Sequence, residues 1–284
     1  MRLIGLTLLI AAVSLTAACS RFGHHEEPVP KTTMNHNHEM MQMNHGGHVA
    51  FDSPKIKTIA AWKLSDENPQ PGKTTTITVQ IDDERGKPVK EFDINHEKQM
   101  HLIVVSRDLA SFDHIHPVYN GNGQFQVKTA FPAAGDYKLI ADYMPAGGSA
   151  VNNSTWVAVR GTASKAVPVE PDKILVKTVN GVKVELTYDH LMAGMDLELT
   201  FHLTDARSHE PIKDLEPYLG AVGHVVILNS EVQKYLHVHP MEEKAGGPDA
   251  KFMTSFPEGG IYKVWGEFKR KGETFLVPFV IKVP

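Results

Sequence analysis

The chain has one cysteine, Cys19, in 284 residues. No internal disulfide can form, so each folded unit must hold together by packing. A blue-copper centre needs a thiolate beside its histidines, and no cysteine lies near any folded histidine motif. Cationic excess is also missing: the formal net charge is -4, so no basic stripe can track phosphates and nucleic acid is not expected as a partner. After residue 15 there is no apolar run of 18 residues, the length that spans a bilayer as a helix. No amphipathic helical period follows either. No Ser-His-Asp spacing, free nucleophilic thiol or paired-carboxylate cleft can be argued, so the chain does not read as an enzyme.

What is present is a long repeat. His101-Leu-Ile-Val-Val-Ser is followed by Phe112-Asp-His114-Ile-His116-Pro117. The same pattern returns 123 residues later as His224-Val-Val-Ile-Leu-Asn, then Tyr235-Leu-His237-Val-His239-Pro240. Asp82 and Pro88 match Asp205 and Pro211 at the same offset. Further on, Phe131-Pro-Ala-Ala-Gly-Asp-Tyr137-Lys matches Phe256-Pro-Glu-Gly-Gly-Ile-Tyr262-Lys at an offset of 125. A repeat of this length is a whole domain rather than a solenoid unit.

The N-terminus reads as an export signal. Arg2 precedes an apolar stretch, Leu3 to Leu15, too short to span well. Small residues lead to Cys19, and the segment resembles a bacterial lipobox, with Leu15 one place further from the cysteine than usual. That resemblance implies cleavage before Cys19, lipidation of its sulfur and a tether to a membrane surface. An ordinary signal peptide with a stray cysteine is the plainer alternative. Six of the sixteen histidines then fall between His24 and His48, in a segment without a core-forming pattern. This stretch, with His36, His38, Met40, Met41, Met43, His45 and His48, is expected to be a flexible His/Met-rich arm. It either captures metal or is a linker that binds metal only adventitiously.

From residue 55 the pattern is all strand. Thr74-Thr-Thr-Ile-Thr-Val-Gln-Ile and Leu197-Glu-Leu-Thr-Phe-His-Leu-Thr alternate polar and apolar. Asn180-Gly181 between two β-branched runs is a two-residue hairpin turn. Turn signals every 8 to 12 residues or so suit a β-sandwich. The expected fold is all-β: two tandem immunoglobulin-like or cupredoxin-like antiparallel sandwiches. The expected boundaries are signal 1–18, arm 19–54, domain one 55–161, linker 162–171 and domain two 172–284. Phe131, Tyr137, Phe256, Tyr262 and Trp265 are assigned to cores. His96, His190, His202 and His209 have no repeat partner and are assigned to surface or packing.

Residues two apart on a strand share a face. His114 and His116 therefore point one way, as do His101, Ile103 and Val105. If a hairpin register opposes His101 to His116, then Ile103 faces His114 and Val105 faces Phe112. Opposed Cβ atoms lie about 4.5–5.5 Å apart, so three imidazoles would meet. A slip of one residue would destroy the cluster. The same register gives His224, His237 and His239 in the second copy. Three neutral imidazoles make a metal site with an open position. The divalent affinity order and the thioethers of the arm favour copper, as Cu(I) or Cu(II), with silver or zinc as substitutes. Met100 and Met144 are additional candidate ligands in domain one. The same histidines could equally be structural, bonding loop carbonyls between the sheets.

The Phe-Pro-x-x-Gly-x-Tyr-Lys strand entry, the His-x-His-Pro motif and the two-copy layout resemble exported bacterial proteins of the YtkA-like kind. In architecture they also resemble the copper-resistance protein CopC, though not in ligand pattern. The resemblance implies small sandwiches associated with metal handling. The expected function is a lipid-anchored, extracytoplasmic copper-binding protein for capture, tolerance or delivery. Its partners would be the membrane through Cys19, the metal, and a metal-transport or copper-enzyme protein. The alternative is an accessory interaction module with no functional metal.

Overall fold

The computed structural model describes residues 56–163, 165–241 and 246–284, and of His237 and His239 only the backbone. The signal, Cys19 and the arm residues His36, His38, Met40, Met41, Met43, His45 and His48 lie outside the described residues. Every regular element among the described residues is a strand. The first repeat contains β1 (Thr58–Leu64), β2 (Thr74–Asp83), β3 (Phe92–Asp93), β4 (Met100–Ser106), β5 (Phe112–Ile115), β6 (Val118–Tyr119), β7 (Gln124–Ala130), β8 (Gly135–Pro145) and β9 (Val151–Val159). The second contains β10 (Val176–Val179), β11 (Val182–Tyr188), β12 (Asp196–Asp205), β13 (Leu215–Glu216), β14 (His224–Asn229), β15 (Tyr235–His237), β16 (His239–Pro240), β17 (Asp249–Ser255), β18 (Gly260–Arg270) and β19 (Glu273–Val283).

Each repeat is a sandwich of two antiparallel sheets. In the first, β1-β2-β7-β6 forms one sheet, and β3-β8-β4-β5 with β9 on β8 forms the other. In the second, β10-β11-β12-β17-β16 faces β13-β18-β14-β15 with β19 on β18. The alternating β2 buries Thr75, Ile77, Val79 and Ile81 and leaves their neighbours more open, as one solvated sheet face requires. Asn180 and Gly181 both take positive φ, 49° and 77°, and close the β10–β11 hairpin. This is the conformation that an Asn-Gly hairpin turn selects.

The His-x-His-Pro motif marks the place where the chain changes sheets. β5 pairs with β4 in one sheet, and β6, two residues beyond His116, pairs with β7 in the other. In the second repeat β15 pairs with β14, and β16 crosses to β17. Phe131 packs on Tyr137, with ring centres 4.9 Å apart, and Phe256 on Tyr262 at 4.8 Å, inside the respective cores. Trp265 is in a core, as expected, but one that the two repeats share. It is buried in a third apolar cluster, with Ile103, Val105, Leu109, Ile140, Val226, Leu228 and Val232, drawn from both repeats.

That third cluster explains β4 and β14. Both strands are buried along their whole length. In β4, Met100, Leu102 and Val104 enter the first repeat's own core, while Ile103 and Val105 turn outward to the shared cluster. In β14, Val225 and Ile227 face inward, and Val226 and Leu228 outward. A strand buried on both faces reads as an unbroken apolar run. The sheet containing β4 and β8 in the first repeat and the sheet containing β14 and β18 in the second thus cover each other.

Candidate metal centre at the repeat interface

The β4–β5 register pairs Ile103 with His114 and Val105 with Phe112, which sets His116 opposite His101 when continued. His101 and His114 are buried, at 4% and 9% exposure, and His116 is half-buried. One ring nitrogen from each of the three lies within 4.8 Å of the other two. Nδ1 of His101 and Nε2 of His114 are 2.9 Å apart. Ring centres are separated by 5.1 Å for His101 and His114, 5.1 Å for His101 and His116, and 4.8 Å for His114 and His116.

The remaining nitrogens are held from behind. Nε2 of His101 donates to the Asn95 carbonyl at 2.9 Å. Nδ1 of His114 donates to Glu267 Oε2 at 2.5 Å. A metal-ligating imidazole characteristically gives its second N–H to a carbonyl or carboxylate, which fixes the tautomer and aims the other lone pair. Nε2 of His116 is buried with no hydrogen-bond partner. Such an atom costs about 1–3 kcal/mol when left bare, and a metal would satisfy it. The residues therefore fit a His₃ ion with an open position. The carbonyl bond expected of structural histidines is also present at His101, on the nitrogen facing away from the cluster.

Burial above all keeps His101 and His116 neutral. Burial, with the neighbouring His114 charge, lowers His101 to about 4. Burial, His114 and His101 lower His116 to about 3. Neutral imidazole is the ligating form.

His224 lies with this cluster. It occupies the position equivalent to His101: His101 pairs with Asp142 on β8, and His224 with Glu267 on β18. Its ring centre is 5.8 Å from those of both His101 and His114. Burial above all lowers it to about 2. The backbones of His237 and His239 hold the equivalent register, with His237 opposite Val226. Met144 is half-buried and shares the face of Asp142, two residues further along β8. Met100 is fully buried in the first core, on the face opposite His101, and is not placed to ligate. Gly223, its counterpart, makes room for Phe268, whose ring an added Cβ would meet at 2.6 Å.

Three residues were not anticipated as members. His96, assigned to surface or packing, sits 4.7 Å from His224 and 6.3 Å from His101 between ring centres. It occupies a tight turn at φ 47°, and its repeat counterpart is Leu219 at φ 52°, so the repeat gives no signal for it. Glu267 and Asp142 did carry a signal, since an acid stands opposite the first histidine of each copy. Asp142 accepts the Tyr235 hydroxyl at 2.7 Å. His190 and His209 are exposed. The partly exposed His202 donates to Asp249.

Facing tandem sandwiches with a histidine cluster between them define an all-β, immunoglobulin-like tandem-domain protein. The chain belongs to the family described as Domain of unknown function (DUF8832), whose model matches twice, at residues 54–161 and 177–284. No curated protein matches the chain. Among solved structures it is similar to the Escherichia coli adhesin FdeC, at 13% identity over 79% of this chain and 64% of that one, TM-score 0.27. It is also similar to the Yersinia pseudotuberculosis adhesin InvE, at 10% identity over 78% and 58%, TM-score 0.24. Two fibronectin type III domains of chicken tenascin give 14% identity over 82% and 100%, TM-score 0.23. The chain spans less than two thirds of the length of either adhesin structure.

Proposed function

We propose that this protein binds a transition metal, copper in the first instance, at His101, His114 and His116, and acts as a binding protein rather than an enzyme. The observation that carries the reading is the convergence of three ring nitrogens within 4.8 Å. Two of the rings are braced from behind by Asn95 and Glu267. Copper is favoured because divalent affinity for nitrogen sites peaks at Cu²⁺ and because the arm adds soft thioethers suited to Cu(I). Silver and zinc are the substitutes. The N-terminal pattern supports export and lipidation at Cys19. The arm, with His36, His38, Met40, Met41, Met43, His45 and His48, would then capture metal near a membrane surface and pass it to the folded centre. Capture, tolerance or delivery, with a metal-transport or copper-enzyme partner, is the role this places on it. The narrower YtkA-like and CopC-like assignment rests on the shared motifs alone.

The test is thermal unfolding of the full chain with and without Cu(II). Only metal bound to the folded state raises the midpoint. Metal held by the arm alone leaves the midpoint of the folded repeats where it is. A rise that disappears in His114→Gln supports the reading, and the absence of any rise removes it.

A second reading is an accessory interaction module in which the tandem sandwiches present their loops to a partner and no metal is needed. Two of the similar structures are adhesins. Unchanged partner binding after chelation would favour it.

A further inference from the structure

We propose that His224 of the second repeat belongs to the same centre as His101, His114 and His116 of the first, so that one ion held from both sides clamps the repeats together. This rests on the metal-binding reading and goes further: it makes the site a property of the interface, with one centre where a domain-by-domain reading expects two.

Geometry is the first ground. With metal–nitrogen bonds of about 2.0–2.1 Å and a ring centre about 1.1 Å behind the nitrogen, two imidazoles on a tetrahedral ion have centres about 5.2 Å apart. In a planar arrangement the same bonds give about 4.5 Å for cis and about 6.4 Å for trans neighbours. The first-repeat triad spans 4.8 to 5.1 Å. His224 stands 5.8 Å from both His101 and His114, wider than tetrahedral and narrower than trans. The triad separations suit one tetrahedral ion; the two His224 separations lie about 0.6 Å beyond it, so His224 would close on the ion by a small ring shift.

The second ground is an unsatisfied atom. Nε2 of His224 is buried and has no hydrogen-bond partner. The ring is meanwhile anchored through the Leu219 backbone. His101 is held by the Asn95 carbonyl through Nε2, the nitrogen that is bare in His224. The two anchors sit in equivalent tight turns, closed by the bridges Asn95–Lys98 and Tyr218–Ala221. Each repeat thus uses the same turn to brace the first histidine of its motif.

The third ground is that the second repeat already serves the triad. Glu267, the ladder partner of His224 on β18, is the acceptor for His114 of the first repeat. One strand pair of the second repeat would therefore supply both a ligand and the support for another ligand.

The experiment is hydrogen–deuterium exchange on the full wild-type chain with and without Cu(II), followed by titration of His224→Gln. The proposal expects added protection at 95–101 and 114–116 and, equally, at 218–224 in the other repeat. It also expects at least tenfold weaker Cu(II) binding, read as loss of the thermal shift, in His224→Gln. Protection confined to the first repeat, or a His224→Gln variant with the wild-type shift, overturns the shared centre and leaves the triad standing. No protection in either repeat overturns both. The exchange arm uses only the wild-type chain, so the outcome does not depend on the variant folding.

Discussion

Nδ1 of His114 in the first repeat donates to Oε2 of Glu267 in the second at 2.5 Å. The bond ties a candidate ligand of one domain to a carboxylate of the other. Domain packing and ligand geometry are thereby parts of one arrangement. Around it the interface repeats itself with a swap of partners. Lys138 donates to the Val232 carbonyl and Lys263 to the Leu109 carbonyl, each at 2.7 Å. Both acceptors sit in left-handed turns, at φ 57° and 58°.

If Glu267 orients His114, replacing it with Gln leaves a hydrogen-bonding group and removes the charge that strengthens the ligand. Outer-shell substitutions of this kind cost about 10–100-fold in metal affinity. The expected result is a Cu(II)-induced midpoint rise smaller by about 1.4–2.7 kcal/mol in stability terms. A rise equal to wild type would mean that the carboxylate does not tune the site.

Acid should loosen the metal-free protein before its carboxylates titrate. His101, His116 and His224 are held at about 4, about 3 and about 2 in the fold, against about 6.5 when unfolded. Below pH 6.5 the unfolded chain takes up protons that the folded chain refuses. Stability is therefore fully present above that pH and falls as pH drops towards the folded values. Asp113, raised by partial burial and Glu267, works in the opposite direction. The net loss by pH 5 should be on the order of a few kcal/mol. Urea midpoints at pH 7.5 and pH 5 in a chelator measure it, and an unchanged or higher midpoint at pH 5 would refute it.

The apolar part of the interface centres on Trp265, stacked on Phe112 of the first repeat with ring centres 4.5 Å apart and planes at 15°. Trp265→Ala should cost about 3–5 kcal/mol, the range for a large buried aromatic. The loss should fall on docking, because Trp265 lies outside both domain cores. Calorimetry should show one transition in the wild type separating into two in the variant. A single transition shifted as a whole would place Trp265 in the second domain's own stability.

For the arm, a peptide of residues 31 to 49 is expected to bind Cu(I) through Met34, Met40, Met41 and Met43, with Cu(II) preferring its histidines. Chelator competition checks this. Undiminished Cu(I) affinity after all four methionines become Leu would remove the thioether assignment.

Much of the local structure was legible. The period-two alternation gave β2 and β12. Asn180-Gly181 gave its hairpin. The spacing from His101 to His116 gave the register that puts Ile103 opposite His114. These features depend on residues close in the chain, where pleat and turn geometry leave few choices. The meeting of the two repeats was not read, because docking joins surfaces far apart in sequence. A trace of it existed: His101-Leu-Ile-Val-Val and His224-Val-Val-Ile-Leu lack the polar alternation of β2, and such strands need cover on both faces. Trp265 is core as expected, but the core it joins is the shared one. His96 had no trace at all, since its counterpart is Leu219 and its position comes from a turn that brings it to the other repeat.

The most direct measurement is the thermal midpoint of the full chain, with and without Cu(II), for wild type and His116→Ala. Nε2 of His116 is the bare nitrogen of the triad, so its removal should abolish ligation while sparing the cores. At a free metal concentration of a hundred times Kd, binding to the folded state adds about 2.7 kcal/mol. In a folded region of this size that is a rise of about 5–11 °C. The account predicts such a rise in the wild type and little or none in His116→Ala. No rise in the wild type, or the same rise in both proteins, would contradict it.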